Sequence, residues 1–502
     1  MTLNFKKNIT SNFSYLVIAL LVLPVFFINV TDSHDWGGDF AQYISQAKNI
    51  VEGKPHYETG YIFNDNAPVL GPPAYPAGFP LLLAPVYLLS GNSIMAFSIY
   101  ISLFLFLLGM LMFAFFKKYF DNLISIILVL IIIYNPWVLR FKMEIMSEIP
   151  FTFFLILSIL FYQKKYNNIY LNAIIVGLLA AVLTSIRTIG IIFPLAIIFD
   201  FIISFLKNRK KPDKNILRPF TYRFVIIFIT AIISYIILNI LLFPMPPDSS
   251  VPYISVFNFE IFRQTVLENL SYYIKVFQFF FSPYNKGWEF VSLILSSVVF
   301  TFILLGMINK FSRKFDIKDI IILLYLFVIM IYPYKGSGFR FLLPVLPLFM
   351  YYLIIGLRSI KLNFRFNNII LTLVLSAFVL IQYISGISNI LKHQNRILPG
   401  PQEHFSVEVF NFIKENTPEK TIIVFTKPRV LALYTDRRSL SNERNETLIK
   451  MKNKFDEVGV DFYLIHNEIS DDSIKKYINV NNEFIELVWN NKKFYLYKNI
   501  KK

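Results

Sequence analysis

The chain has 502 residues, 55% of them hydrophobic, with 54 Phe and only 16% charged side chains. Soluble domains carry about 25% charge, so this composition excludes an ordinary soluble protein. A formal charge of +17 raises nucleic acid as a partner, but the Lys and Arg residues stand in short segments between apolar runs, where they set membrane orientation instead. There is no Cys, which excludes disulfides, thiolate metal sites and cysteine nucleophiles.

Apolar runs suited to crossing a bilayer recur to about residue 390, which predicts a polytopic α-helical membrane protein. Lys6 and Lys7 precede the first run, Tyr15 to Val30, and place the N-terminus in the cytoplasm. No small-residue cleavage site follows it, so this run reads as a retained anchor. The loop 31–80 is then outside the cytoplasm. In it, Gly37 and Gly38 permit a tight turn and Asp39 stands where a helix begins. Phe40, Tyr43, Ile44, Ala47 and Val51 recur at three- and four-residue steps, giving a surface helix with one apolar face, and Gly53 suits its end. Two readings of Asp39 stay open, a helix cap or an acid held at the outer membrane surface. The prolines between Ala67 and Pro80 argue against helix there, and Leu81 to Ser90 is too short to cross alone.

Further spans are expected at Ile94–Phe116, Leu123–Tyr134 (extending toward Val138), Phe151–Phe161, Leu171–Thr184, Ile189–Leu206 and Phe224–Phe243. A long, partly helical loop follows, Pro244 to Glu289, and then spans at Val291–Ile308, Ile320–Tyr332, Leu342–Leu357 and Ile369–Ile387. That makes about eleven crossings, with every basic cluster on one side and the tail opposite the N-terminus. The expected division is a transmembrane domain, residues 1–391, with outer loops 31–80 and 135–150, and a soluble α/β domain, residues 392–502. In the tail, Phe405 to Phe412 reads as helix, Thr421–Thr426 and Val460–Ile465 as strands, and Glu443 to Val458 as a polar helix. Phe484–Trp489 and Lys493–Lys498 read as a terminal hairpin. No phosphate loop, metal-spaced His pair or nucleophile elbow occurs in it.

The ionisable residues gather on the predicted outer face. Asp39 follows the first span, Glu144 and Glu148 lie in loop 135–150, Arg187 in the next outer turn, and Lys335 and Arg340 near the fifth. Acids and bases together at one membrane surface suit transfer from an anionic lipid to a neutral acceptor. A carboxylate takes the proton of an attacking hydroxyl, and guanidinium or ammonium groups hold a leaving phosphate. A coupled transporter or flippase would instead place ionisable groups along a path within its spans, where only Asp200 clearly falls.

These residues also carry a resemblance. Gly37-Gly38-Asp39, Tyr43, Ala47 and Gly53, then Pro72-Pro73 through Tyr75-Pro76-Ala77-Gly78, resemble the first outer loop of GT-C fold glycosyltransferases. That class includes protein O-mannosyltransferases, the aminoarabinose transferase of lipid A and enzymes modifying lipopolysaccharide cores. Ser147-Glu148-Ile149-Pro150 resembles their second-loop acidic motif. Arg187, within Gly177 to Gly190, and Arg340-Phe341-Leu342-Leu343-Pro344 resemble two later segments. The likeness covers roughly residues 10 to 390. One departure is Phe40, which stands where a second acid often follows the first.

The resemblance implies an integral membrane glycosyltransferase that moves a sugar from a polyprenyl-phosphate donor to a lipid, glycan or protein acceptor. It implies Asp39 as general base and Glu148 as a second catalytic acid, with Tyr43, Tyr75, Arg187, Lys335 and Arg340 binding substrate. It also implies a multi-pass protein of the plasma (inner) membrane whose C-terminal domain is extracytoplasmic. No cofactor and no nucleic acid are expected, and a divalent ion is left open. Glu148 reads equally as a loop-ordering residue, and Arg187 and Arg340 equally as anchors to lipid head groups. A polysaccharide polymerase or ligase would use the same kind of donor.

Overall fold

The computed structural model describes residues 13–67, 70–164, 168–209, 214–245, 259–281, 287, 289–333, 338–359, 367–394 and 396–500. In chain order the helices are α1 (Phe13–Phe26), α2 (Asp39–Val51), α3 (Gly78–Ser90), α4 (Ile94–Phe116), α5 (Asn122–Ile133), α6 (Pro136–Phe141), α7 (Glu148–Gln163) and α8 (Ile169–Ile186). Next come α9 (Ile192–Arg209), α10 (Lys214–Ile236), α11 (Phe259–Phe281), α12 (Glu289–Arg313), α13 (Ile317–Ile331), α14 (Leu346–Ser359) and α15 (Asn367–His393). The tail runs α16 (His404–Asn416), β1 (Ile422–Val424), α17 (Pro428–Thr435), β2 (Arg438–Leu440), α18 (Leu448–Val458), β3 (Phe462–His466), α19 (Asp472–Val480), β4 (Ile485–Asn490) and β5 (Phe494–Asn499).

Among the described residues six helices are long and apolar enough to cross a membrane, or seven if the bent pair formed by Asn122–Ile133 and Pro136–Glu144 is one span. Their outward side chains are apolar: Ile229, Ile232, Ile233 and Ile240 are each more than half exposed, which water would penalise and lipid would not. The chain is thus a multi-pass membrane protein. The count of eleven crossings stays an expectation, because four further apolar helices, Phe13–Phe26, Gly78–Ser90, Glu148–Gln163 and Leu343–Ser359, have only 10–17 residues each.

Two local expectations change. The span expected to run on from Tyr134 toward Val138 instead bends by 51°. Pro136 has no N–H to continue the helix, and the Asn135 side chain accepts from the N–H groups of Trp137 and Val138 to start a new one. Conversely, α3 begins at Gly78 and takes in Pro80, where only irregular chain was expected. A proline in the first turn costs little, since that N–H would have no helical partner anyway.

The chain divides into two compact units. One holds the described residues of Met1–Val30, Ser98–Leu242 and Tyr253–Asn395, and the other those of Thr31–Phe97, Phe243–Pro252 and Arg396–Lys502. The expected domains are 1–391 and 392–502. The second unit, however, also takes in the first loop.

Within the first unit, α12 and α14 meet at Gly306 and Gly356. A Cβ on Gly306 would lie 1.9 Å from the Tyr352 carbonyl oxygen, and one on Gly356 would lie 1.9 Å from that of Phe302. Small residues let two backbones touch, which is how helices pack where no hydrophobic effect drives them together. Gly306→Ala should therefore force the helices apart and destabilise the protein by about 1–3 kcal/mol. The check is a thermal unfolding scan in detergent, and an unchanged midpoint would refute the contact.

The second unit is built on a five-stranded sheet of order β2-β1-β3-β5-β4. β1 runs parallel to β2 and β3, and β5 runs antiparallel to β3 and β4. Ile423, Val424, Leu464 and Ile465 are buried, as strands covered on both faces require. Phe455, Tyr463 and Tyr477 pack together on one side. Trp36, from the first loop, sets its ring edge-on to Phe425, His466 and Phe494. Tyr61 forms a parallel bridge to Ser439, with Ile62 N–H donating to the Ser439 carbonyl at 2.8 Å, so the outer edge of β2 is covered.

The strands, polar helix and hairpin expected in the tail are present, with the polar helix shortened to α18. Unforeseen were α17, β2 and α19. Each is short, and β2 has only three residues, Arg438, Ser439 and Leu440, too few to show a period.

Candidate functional site

The expected residues fall into two constellations, one in each unit, and Lys335 lies outside the described residues. In the second unit α2 starts as its sequence suggests, but Gly38 is the cap and Asp39 the first helical residue. The Asp39 Oδ1 accepts from the Tyr75 hydroxyl at 2.6 Å and from Arg429 Nη1 at 2.9 Å. The cap reading of Asp39 is therefore corrected: Gly38 takes the cap, and the Asp39 carboxylate reaches Tyr75 and Arg429.

Arg429 organises this cluster. It lies in the first turn of α17, is 3% exposed, and donates through Nη2 to the Pro72 carbonyl at 2.7 Å and through Nη1 to the Tyr75 hydroxyl at 3.1 Å. Its guanidinium lies over the rings of Tyr61 and Tyr75, 4.9 and 5.2 Å from their centroids. Gly71 makes room for it: its φ of +88° suits glycine, and a Cβ there would lie 2.7 Å from Nη2. Burial opposes the Arg429 charge, but Tyr75, Asp39 and Tyr61 outweigh it and push its pKa up. Burial above all, with Asp39 adding to it, holds the Tyr75 phenol well above its ordinary range, so Tyr75 stays protonated and donates to Asp39. Tyr43 stacks on Tyr75 at 4.6 Å between centroids. Two amides tie the proline-rich segment to α2: Gln42 Nε2 donates to the Pro73 carbonyl, and Gln46 Nε2 donates to the Tyr75 carbonyl at 2.8 Å.

In the first unit Glu148 opens α7 and is fully buried. Its Oε1 pairs with Arg187 Nη1 and with Arg340 Nε, the latter at 2.7 Å. Arg187 also donates to the Ser147 hydroxyl at 3.0 Å. Both guanidiniums lie over the Phe341 ring at 5.7 Å. The Glu148 Oε2 is buried with no hydrogen-bond partner among the described residues. Two guanidiniums sharing one carboxylate leave the cluster one positive charge, and burial strengthens its field. A carboxylate held by two arginines is a weak proton acceptor, so this geometry suits Glu148 to orienting Arg187 and Arg340.

Arg429 is the residue that sequence reasoning missed. Pro428 at the first helical position was a usable signal for a helix start, but nothing in the sequence links position 429 to Asp39.

Apolar spans, and the first loop grouped with a small α/β sheet unit, make up a multi-pass membrane fold that solved structures of GT-C glycosyltransferases share. The chain matches ArnT from Cupriavidus metallidurans bound to undecaprenyl phosphate over 96% of its own length and 97% of that chain, at 10% identity and a TM-score of 0.58. It also matches the archaeal oligosaccharyltransferase AglB from Archaeoglobus fulgidus, in complex with an inhibitory peptide and a dolichol-phosphate, over 91% of this chain and 69% of that one, at 11% identity and a TM-score of 0.55. No protein-family model and no curated protein sequence matches this chain.

Proposed function

We propose that this protein is an integral membrane glycosyltransferase that moves a sugar from a polyprenyl-phosphate donor to a hydroxyl-bearing acceptor on the extracytoplasmic face. The observation that carries this reading is the whole-length likeness to a protein solved with undecaprenyl phosphate. The cluster of one carboxylate and two arginines in the first unit supports it, since an anionic lipid phosphate needs a cationic seat. In the proposed step the acceptor oxygen forms a bond to the anomeric carbon and passes its proton to Asp39. The bond from that carbon to the phosphate oxygen breaks, and the electron pair leaves with the polyprenyl phosphate. Attack opposite the leaving group inverts the anomeric centre. Tyr75 and Arg429 fix the Asp39 carboxylate through their hydrogen bonds, pre-orienting it for a proton that moves only as the bond forms.

Arg187 and Arg340 are assigned to the donor phosphate. A forked guanidinium binds phosphate through two parallel N–H bonds, which an ammonium cannot reproduce. Arg340→Lys should raise the apparent KM for donor roughly tenfold or more, the value of one lost charge-assisted bond. Arg358→Lys, predicted cytoplasmic, should leave it unchanged. Equal donor titration curves for the two variants would remove Arg340 from the site. The proposed orientation puts the N-terminus in the cytoplasm. Reporter fusions after Lys361 and after Lys502 should then read on opposite sides of the membrane, and a shared side would reverse the assignment.

A further inference from the structure

A cleft of about 860 Å³ lies in the second unit, apart from the Asp39 cluster's own contacts. Pockets of roughly 300–1,000 Å³ hold small-molecule-sized ligands. Its walls come from the carboxyl ends of the three parallel strands: Thr426 and Lys427 just after β1, Ser441 to Asn445 just after β2, and Glu468 to Asp472 after β3. In the order β2-β1-β3-β5-β4, the chain leaves β1 toward β2 and leaves β3 toward the opposite edge. The gap between β1 and β3 is therefore a topological switch point, the place where open α/β sheets leave a crevice for ligands. Trp36, three residues before Asp39, forms part of the wall, and Lys427 stands two residues before Arg429.

The chemistry of the walls narrows the occupant. Lys427, Arg444 and Lys475 face four carboxylates, so there is no surplus of positive charge for a phosphate or other strong anion. Four apolar residues, Trp36, Ala67, Leu70 and Ile469, share the lining with twelve polar or charged ones. The β2 edge, where an extended peptide would add as a strand, is already taken by Tyr61 and Ile62. Hydroxyl, amide, carboxylate and ammonium groups together instead offer closely mixed donors and acceptors. Lys427 is half-buried and makes no hydrogen bond or close ion pair among the described residues, while its charge interacts with Asp35 and Asp39.

We propose that this cleft binds the saccharide portion of the acceptor, a neutral, hydroxyl-rich glycan, with Lys427 donating to it. This deepens the transferase reading and rests on it for the word acceptor, though not for binding itself. Saturation-transfer NMR on the full chain in lipid nanodiscs tests it, with neutral oligosaccharides of two to four hexoses as probes and, in parallel, short uncharged peptides and inorganic phosphate. The oligosaccharides should bind, and Lys427→Met should weaken them about tenfold. Arg444→Trp, at a 91% exposed side chain where a large ring spares the core, should block them by filling the cleft. No oligosaccharide binding, binding indifferent to both cleft variants, or preferential binding of peptide or phosphate would each overturn the proposal. Undecaprenyl phosphate is titrated separately. If it fails to bind while oligosaccharides still do, the transferase reading falls and the cleft assignment stands.

Discussion

Asp39→Asn should lower turnover at least ~100-fold, in line with the usual contribution of a positioned general base. Asn keeps the size and still accepts a hydrogen bond from Tyr75, so the local fold has little reason to change. What it loses is the capacity to take the acceptor's proton and the charge opposite Arg429. The measurement is single-turnover transfer by protein whose yield and thermal midpoint are compared with those of the parent. Gly38, not Asp39, is the cap of α2, and an unchanged thermal midpoint would separate lost chemistry from a weakened helix. Near-parental transfer by well-folded Asp39→Asn protein would reduce Asp39 to an ion-pair partner of Arg429.

Arg429→Met should have the second large effect, and on stability first. It removes the buried member of a partly buried pair, leaving the Asp39 carboxylate, the Tyr75 hydroxyl and the Pro72 carbonyl without their shared donor. Such losses cost about 3–5 kcal/mol, because the charge left behind is uncompensated. The double variant Asp39→Asn/Arg429→Met should be less destabilised than the sum of the two single changes, since the stranded charge is gone. Strict additivity in that cycle would mean the pair is not coupled. Arg429 is a positioning residue in this account, so Arg429→Lys gives a second reading. It keeps the charge but not the fork that reaches both Asp39 and Pro72. It should lower kcat more than it raises the KM for donor, whereas a purely structural role would change yield alone.

Several features were legible because their cause is local. The membrane spans follow from apolar runs long enough for a bilayer. The α2 helix follows from the three- and four-residue recurrence of Phe40, Tyr43, Ile44 and Ala47, and its end from Gly53, which has φ +67°. The terminal hairpin follows from two alternating segments around Asn490 and Asn491. The grouping of Glu148 with Arg187 and Arg340 was anticipated only as a shared membrane face, from the alternation of basic loops.

The tertiary structure decided what each charge faces. Whether Asp39 caps its helix or meets Arg429 depends on Gly38 taking the cap and on Arg429 arriving from a position 390 residues later. Periodicity and propensity are properties of windows a few turns long, and they hold no information about a partner at that separation. The room for that guanidinium comes from Gly71 and its positive φ, which the proline-rich sequence around it signalled only as irregular chain. Likewise the cleft exists because β2, β1 and β3 lie side by side with their carboxyl ends together. A three-residue strand such as Arg438–Leu440 is specified by its neighbours' unpaired backbone groups rather than by its own residues.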